Sequence, residues 1–215
     1  MNKLVIPSII AKNQEELDSL ISKVKKYFKV MQIDIMDGEF VENKSLDFNF
    51  NLPKDIEYEA HLMVKNPLSW AEKNFSKVDF IIFHIEAVSK EDVKSIIQRI
   101  KSMNKKVGIA ISPNTSIEEI LEYISLIDIV VVMSVYPGKY GAKFLPETMD
   151  KVKKLREKSP KLLIEVDGGM NLENIKLAME NGANRFISGS FLQNSSNLEE
   201  TSKKLSKLLK GGVTD

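Results

Sequence analysis

Short runs of β-branched and aromatic residues alternate along this chain with longer stretches whose apolar residues recur at helical spacing. A strand, a helix and a second strand in succession form a crossover within a parallel sheet. We count eight strand candidates in 215 residues, joined by short connections without a Pro/Gly/Ser-rich linker. This alternation predicts one domain over residues 1–215, folded as a closed (β/α)8 barrel. A doubly wound open sheet is the alternative, because periodicity does not show closure.

The predicted strands are bounded by polar or turn-forming residues. They are Leu4 to Ile9, Val30 to Met36, Glu57 to Met63, Phe80 to Ile85, Lys106 to Ile111, Ile127 to Ser134, Leu162 to Val166 and Arg185 to Ser188. The clearest of eight helical stretches are Gln14 to Phe28, Glu91 to Met103, Leu145 to Glu157 and Leu198 to Leu209. The region Asn43 to Leu52 shows neither period.

The composition excludes several classes of function. With 31 basic and 30 acidic side chains the net charge is +1, so no global field would attract nucleic acid or an anionic membrane. The absence of cysteine excludes disulfides and thiol catalysis. No apolar run approaches the roughly 20 residues of a membrane span, so we predict a cytoplasmic protein. The tail, residues 211–215, is predicted to be flexible.

The barrel prediction places chemistry at the carboxyl ends of the strands. Both histidines of the chain, two aspartates and several serines fall there, namely Ser8, Gln32, Asp34, His61, His84, Glu86, Ser134, Asp167 and Ser190. Asp34 and Asp167 each close an apolar run and precede a glycine turn. Because a carboxylate at the end of a buried strand must be paired or leave the core, both are candidate site residues.

Period-two alternation indicates which of these side chains share a face. Gln32 and Asp34 alternate with apolar neighbours and point inward together, as do His61 on the third strand and Asp167 on the seventh. Gln32, Asp34, His61 and Asp167 therefore converge at one barrel mouth. Two carboxylates, an imidazole and an amide oxygen form a site suited to a divalent metal with open positions for substrate. Asp37, in Asp37-Gly38, is interpreted as a turn former.

Glycines cluster in the last three loops of the predicted barrel. They are Gly138, Gly141, Gly168, Gly169, Gly182 and Gly189. Loops at this end of a barrel often present backbone N–H groups to a phosphate. Plain turns explain any one of these glycines but explain their clustering less well.

At this point the chain resembles the ribulose-phosphate 3-epimerases. Seven blocks carry the resemblance in order: Ile6-Pro7-Ser8-Ile9, Ile33-Asp34-Ile35-Met36-Asp37-Gly38-Glu39-Phe40-Val41, His61-Leu62-Met63-Val64, Phe83-His84-Ile85-Glu86-Ala87, Val132-Met133-Ser134-Val135-Tyr136-Pro137-Gly138, Ile164-Glu165-Val166-Asp167-Gly168-Gly169 and Ser188-Gly189-Ser190. The resemblance implies a TIM barrel of the ribulose-phosphate-binding type that interconverts D-ribulose 5-phosphate and D-xylulose 5-phosphate.

The resemblance also implies roles for individual residues. Asp34 and Asp167 match the acid and base on the two faces of the sugar, and with His61 they match metal ligands. Substrate-binding positions are matched by Ser8, Met36, Met63, His84, Met133, Gly138, Gly141, Gly168, Gly169, Gly189 and Ser190. The expected partner is a small phosphosugar, with neither nucleic acid nor membrane, and the family allows a homo-oligomer.

Two departures from the family pattern change these expectations. Gln32 stands where the family has a metal-binding histidine, so we expect weaker zinc binding and relatively stronger competition from Fe(II), Mn, Co or Mg. The loop Tyr136 to Phe144 also differs, and Lys139 and Lys143 add positive charge near the expected phosphate.

Three other functions stay open from the sequence. The first is a 3-epimerase of another ketose phosphate, such as a hexulose phosphate. The second is a phosphosugar-binding barrel with little or no activity. A related decarboxylase is disfavoured, because it would need a lysine where Met36 stands.

Overall fold

The structure, a computed structural model, describes residues 2–139 and 141–211. The predicted flexible tail lies outside the described residues from position 212 onward, and so does Tyr140 of the divergent loop. Within the described ranges, no helix combines the length and the apolar character that crossing a membrane requires.

Eight parallel strands close into a barrel, and a ninth short strand is added antiparallel to one of them. The strands are β1 (Leu4–Ile9), β2 (Val30–Asp37), β3 (Lys44–Ser45), β4 (Glu57–Met63), β5 (Phe80–His84), β6 (Lys106–Ile111), β7 (Ile129–Met133), β8 (Leu163–Asp167) and β9 (Arg185–Ser188). Their order is β1-β9-β8-β7-β6-β5-β4-β2-β3, and β1 also pairs with β2, which closes the ring. The open-sheet alternative is thereby excluded.

Side-chain alternation sorts the strands into two faces. Residues such as Ile33, Ala60 and Val130 pack outward in the large core beneath the helices. A second cluster, which includes Phe80, Ile82 and Val131, fills the barrel interior. Most of the strand residues are apolar on both faces, as expected when helices cover a parallel sheet.

Seven α-helices surround the barrel in the described part of the chain: α1 (Gln14–Val24), α2 (Pro67–Asn74), α3 (Val93–Ser102), α4 (Met149–Lys158), α5 (Leu172–Glu180), α6 (Ser190–Gln193) and α7 (Leu198–Leu209). Helix α1 shows why they form. The Asn13 side chain caps its first turn by accepting from the Glu16 N–H, and Leu17, Ile21 and Val24 are buried on one face.

The prediction of eight helical stretches is wrong in two crossovers. After β2 the described chain forms β3 and an irregular segment, and after β6 it forms 3-10 turns at Ile117–Glu119 and Leu121–Leu126. The segment after β2 lacks apolar residues at helical spacing, which explains the first difference.

Element boundaries also differ from the predictions. Predicted strand ends lie within two residues of the observed ones. Helix α1 ends at Val24 rather than Phe28 because Phe28 packs in the core from the turn, so it extends the apolar pattern without extending the helix. Helix α4 begins at Met149, after a 3-10 turn at Pro146–Thr148. Leu145, where the helix was predicted to begin, is extended because it precedes a proline.

Candidate active site

Three ionisable side chains from three strands meet at the mouth of the barrel. Asp34 on β2, His61 on β4 and Asp167 on β8 each offer an atom within 4.8 Å of the atoms offered by the other two. His61 Nδ1 lies 3.5 Å from Asp34 Oδ1 and 3.2 Å from Asp167 Oδ2. His61 is fully buried and Asp34 is 5% exposed, so these charges act in a poorly solvated environment.

Gln32 joins the two aspartates from one step deeper in the barrel. Its amide Nε2 donates to Asp34 Oδ1 at 2.9 Å and to Asp167 Oδ2 at 2.8 Å. Both amide hydrogens are therefore directed at carboxylates. The predicted convergence of Gln32, Asp34, His61 and Asp167 is present in the structure.

The side chains suit a divalent cation. Two carboxylate oxygens and one imidazole nitrogen are common ligands for zinc, iron and manganese. Gln32 Oε1 is buried and has no hydrogen-bond partner among the described residues. Rotating the amide by 180° exchanges its oxygen and nitrogen, so the same side chain can direct either its two donors at the carboxylates or its oxygen at a cation held by them.

Burial and charge shift the pKa values of this group. Burial raises the pKa of Asp34, and the nearby charge of Asp167 adds to the rise against the opposing effect of His61. Burial alone would lower the pKa of His61, but its hydrogen bonds to Asp167 and Asp34 and their negative charges raise it to about 10. The site thus favours a positive charge between the two carboxylates.

A second histidine lies directly behind the first. His84 Nε2 is 2.9 Å from His61 Nε2, and His84 Nδ1 is 3.0 Å from Glu86 Oε2. His84 is fully buried and is not among the described residues that line the cavity at the mouth. The resemblance implied a substrate-side position for His84, whereas the structure places it against His61 and Glu86.

The cavity above these residues measures about 560 Å³, including its open mouth. Its walls contain most of the predicted substrate-binding residues: Ser8, Met36, Met63, Met133, Gly138, Gly141, Gly168, Gly169, Gly189 and Ser190. Asp34 and Asp167 form part of its floor.

Gly168 follows Asp167 in a conformation that requires glycine. Its φ is +123°, and a Cβ atom there would lie 2.5 Å from Val135 Cγ2 and 2.9 Å from the Val135 backbone nitrogen. The loops after β7 and β8 therefore pack backbone to backbone beside the cavity.

The divergent loop after β7 covers one side of the cavity. Tyr136 and Lys139 line it, whereas Lys143 lines a neighbouring groove. The Tyr136 hydroxyl donates to Asn114 Oδ1 at 3.2 Å, and the Asn43 amide donates to the Gly138 carbonyl. Of the two lysines, Lys139 is therefore the one beside the cavity.

A further sequence interpretation concerns Asp37, near the mouth. Asp37 Oδ1 accepts from the backbone N–H groups of Glu39 and Phe40, and its Oδ2 accepts from that of Lys65. The interpretation of Asp37 as a turn former is confirmed.

One layer below the mouth, three ionisable side chains form a cluster inside the barrel. Arg185 Nε donates to Glu165 Oε2 at 3.0 Å, and Arg185 also pairs with Glu59. Burial, followed by the charge of Glu165, raises the pKa of Glu59 well above its ordinary value. These two buried ion pairs connect β9 to β4 and β8, the strands that carry His61 and Asp167.

Sequence reasoning missed the residues that hold Glu86. The Ser112 N–H donates to Glu86 Oε1 at 2.8 Å, and the Thr115 hydroxyl donates to the same oxygen. Both follow β6, whose bounds were predicted correctly. Extending the strand-end rule to the residues just after Ile111 would have found them.

Comparison with known proteins is consistent with this geometry. Residues 4–193 match the model of the ribulose-phosphate 3 epimerase family. The chain is 32% identical to a ribulose-phosphate 3-epimerase of Schizosaccharomyces pombe, over 91% of this chain and 89% of the relative. It is 36% identical to the cytoplasmic isoform of that enzyme from Oryza sativa subsp. japonica, over 84% and 82%.

Among solved structures, the fold is similar to that of a 3-keto-L-gulonate-6-phosphate decarboxylase from Vibrio cholerae O1. The TM-score is 0.73 at 14% identity, covering 99% of each chain. At this identity the likeness concerns the fold alone.

Proposed function

The chain belongs to the ribulose-phosphate 3-epimerase family. On that premise we propose that Asp34 and Asp167 are the acid and base with which it interconverts D-ribulose 5-phosphate and D-xylulose 5-phosphate. The observation that carries these residue roles is the convergence of two aspartates from β2 and β8 on one cavity. Epimerisation removes a proton from one face of C3 and returns a proton to the other face. An acid on each side of the carbon meets that need.

One aspartate accepts the C3 proton while the other, protonated, donates to the opposite face. Because the reaction is reversible, the two carboxyl groups exchange these roles with the direction of turnover. Burial raises the pKa of Asp34, which favours the protonated form of this carboxyl relative to an exposed aspartate. Met36, Met63 and Met133 surround the cavity with groups that do not compete for the proton.

We propose that Asp34, His61 and Asp167 hold one divalent cation, with the Gln32 amide oxygen as a fourth ligand after rotation. Zn, Fe(II), Mn, Co and Mg are the candidates. When bound, the cation supplies positive charge that offsets the negative charge developing on the substrate oxygens. Gln32 Oε1 supports this assignment, because it is buried and has no hydrogen-bond partner in the described part of the chain.

Gly138, Gly141, Gly168, Gly169, Gly189 and Ser190 are the proposed contacts of the substrate phosphate. Lys139, which lines the same cavity, adds a positive charge. Ser8 on β1 is proposed to contact the sugar.

The name of the rice relative supports a cytoplasmic location for this chain.

Deuterium exchange tests the proposed roles. With D-ribulose 5-phosphate and a divalent metal in deuterated water, we expect deuterium at C3. The Asp34→Asn and Asp167→Asn variants should each lower the rate about 10²- to 10⁴-fold, because each removes a general acid or base. Asp47→Asn, at an exposed position, is the matched control and should leave exchange unchanged. An Asp34→Asn or Asp167→Asn protein that retains the full rate would refute the assignment.

A further inference from the structure

A chain of polar contacts leads from the candidate metal site to the loop after β6. It runs from His61 Nε2 to His84 Nε2 at 2.9 Å, and from His84 Nδ1 to Glu86 Oε2 at 3.0 Å. Both imidazoles are fully buried. The proposed epimerase mechanism assigns no role to His84 or Glu86.

The chemistry of each group sets the direction of these hydrogen bonds. The nearby His84 and the donors from Thr115 and Ser112 outweigh burial and lower the pKa of Glu86 to about 2, so Glu86 is an acceptor. The hydrogen in its contact with His84 must therefore sit on His84 Nδ1. The two Nε2 atoms lie 2.9 Å apart, so one of them must donate and the other accept; with its hydrogen on Nδ1, a neutral His84 accepts at Nε2. His61 Nε2 must then carry a hydrogen.

We propose that Glu86 and His84 are positioning residues that hold a hydrogen on His61 Nε2 and so reserve His61 Nδ1 for the divalent cation. This inference rests on the proposed function, because the cation is the one assigned to the epimerase site. His61 Nδ1 is the nitrogen that faces Asp34 and Asp167. A cation between those carboxylates replaces a hydrogen on Nδ1, while the hydrogen on Nε2 stays in its bond to His84.

The far end of this chain is firmly held. Glu86 Oε1 accepts from the Ser112 N–H and from the Thr115 hydroxyl. The Lys151 ammonium binds the carbonyls of Ser112, Pro113 and Thr115 at 2.9, 2.6 and 2.6 Å. The carboxylate is thus attached to a cross-linked loop, which fixes the oxygen that receives the His84 hydrogen.

The Glu86→Gln substitution is expected to invert the chain of hydrogen bonds. Its single amide oxygen stays with the donors from Ser112 and Thr115, so its NH2 group faces His84 Nδ1. His84 must then accept at Nδ1 and carry its hydrogen on Nε2. His61 Nε2 becomes an acceptor, and the remaining His61 hydrogen is forced onto Nδ1, where it opposes cation binding.

Nitrogen-15 NMR of the imidazoles reads this state directly, because the chain has only 2 histidines. In the unaltered protein, with and without Zn²⁺, we expect neutral His84 with its hydrogen on Nδ1. Zinc-loaded protein should show His61 with its hydrogen on Nε2. In Glu86→Gln the His84 hydrogen should move to Nε2. Finding it on Nε2 in the unaltered protein would overturn the proposal without any variant.

Zinc affinity, measured by competition with a chromophoric chelator on the full chain, gives the second readout. We expect Glu86→Gln to weaken binding about 10- to 100-fold, as loss of a group that orients a metal ligand does. Glu91→Gln, an exposed carboxylate just before α3, should bind zinc like the unaltered protein. Unchanged affinity in Glu86→Gln would overturn the proposal whatever its NMR pattern.

A second variant separates orientation from loop support. Thr115→Val removes one donor to Glu86 but keeps the carboxylate, so the His84 hydrogen should stay on Nδ1 and the affinity should change less than about threefold. If its affinity falls as far as that of Glu86→Gln with His84 unchanged, loop support explains both effects and the proposal fails. These readouts need no turnover. Failure of the C3 exchange experiment would therefore be distinguishable from failure of this inference.

Discussion

At the scale of single residues, Gln32 stands where the resemblance to the family implies a metal-binding histidine. An amide has two functional ends, whereas the histidine that it replaces offers one nitrogen to a metal. In the structure the donor end joins Asp34 and Asp167, and the acceptor end has no partner among the described residues. Gln32 can therefore hold the two carboxylates together without a metal. Donation of these two hydrogen bonds competes with metal binding by the amide oxygen.

Replacing Gln32 by histidine should strengthen zinc binding by about tenfold or more, because imidazole is the better ligand for zinc. A chelator competition assay on the Gln32→His and unaltered proteins measures the change. The Gln32→Leu variant is the matched comparison, since it removes both the donors and the acceptor. If Gln32→His binds zinc no better than the unaltered protein, the substitution does not limit affinity.

At the scale of elements, the loops after β7 and β8 build one wall of the cavity together. Ser134 N–H donates to the Asp167 carbonyl at 2.7 Å, and the Ser134 hydroxyl donates to the Gly168 carbonyl at 2.7 Å. The end of β8, which carries Asp167, is thus fixed by the loop that follows β7. A substitution in one of these loops should therefore shift the backbone of the other.

The Gly168→Ala substitution tests this coupling. A side chain at φ +123° that meets Val135 should lower the free energy of unfolding by about 1–3 kcal/mol. It should also raise KM, because the phosphate contacts shift with the loop. Gly141→Ala is the control for stability. Gly141 also has a positive φ, +69°, but a Cβ atom there would meet nothing within 4 Å. Urea unfolding and steady-state kinetics check both effects. Equal stability losses in the two variants would contradict the role of the Val135 contact.

At the scale of the whole molecule, barrel closure brings Glu59, Glu165 and Arg185 together from β4, β8 and β9. Two carboxylates and one guanidinium are buried in one interior layer, with Glu59 Oε2 and Glu165 Oε1 unpartnered among the described groups. The raised pKa of Glu59 favours its protonated form, and a proton there would balance the charge of this layer. Glu165 is paired with Arg185 in this layer, at 3.0 Å from the guanidinium Nε.

The Glu59→Gln variant should remove a pH dependence of stability. Burial and Glu165 raise the pKa of Glu59 in the folded protein, so the contribution of this group is fully present below its unfolded pKa of about 4.3. The contribution is lost as the pH rises toward the folded pKa. A glutamine mimics the protonated acid at every pH and can donate to Glu165.

Relative to the unaltered protein, Glu59→Gln should therefore gain stability as the pH rises from 5 to 8, by up to about 1.4 kcal/mol per pH unit. Urea unfolding at several pH values measures the difference, in which titrations elsewhere in the molecule cancel. Glu180→Gln, at an exposed position, should show no such trend. A difference that is constant across this range would contradict a protonated Glu59.

The sequence by itself determined the alternation of strands and helices, the strand ends and the inward face of each strand. These follow from local periodicity, since Gln32 and Asp34 must point the same way on β2 whatever surrounds them. The seven signature blocks, taken together and in order, likewise indicated the family, which the family model over residues 4–193 confirms. Asn43 to Leu52 gave no such pattern, and there the sequence predicted nothing specific.

Only the tertiary structure decided closure, distances and hydrogen-bond partners. The pairing of β1 with both β2 and β9 closes the ring, and no local pattern encodes that contact. Closure places Asp167 against Gln32, and the pairing of β4 with β5 places His84 behind His61 rather than beside the cavity. The physical reason is that these relations join residues far apart in sequence, so they depend on the register between strands and not on the period within one.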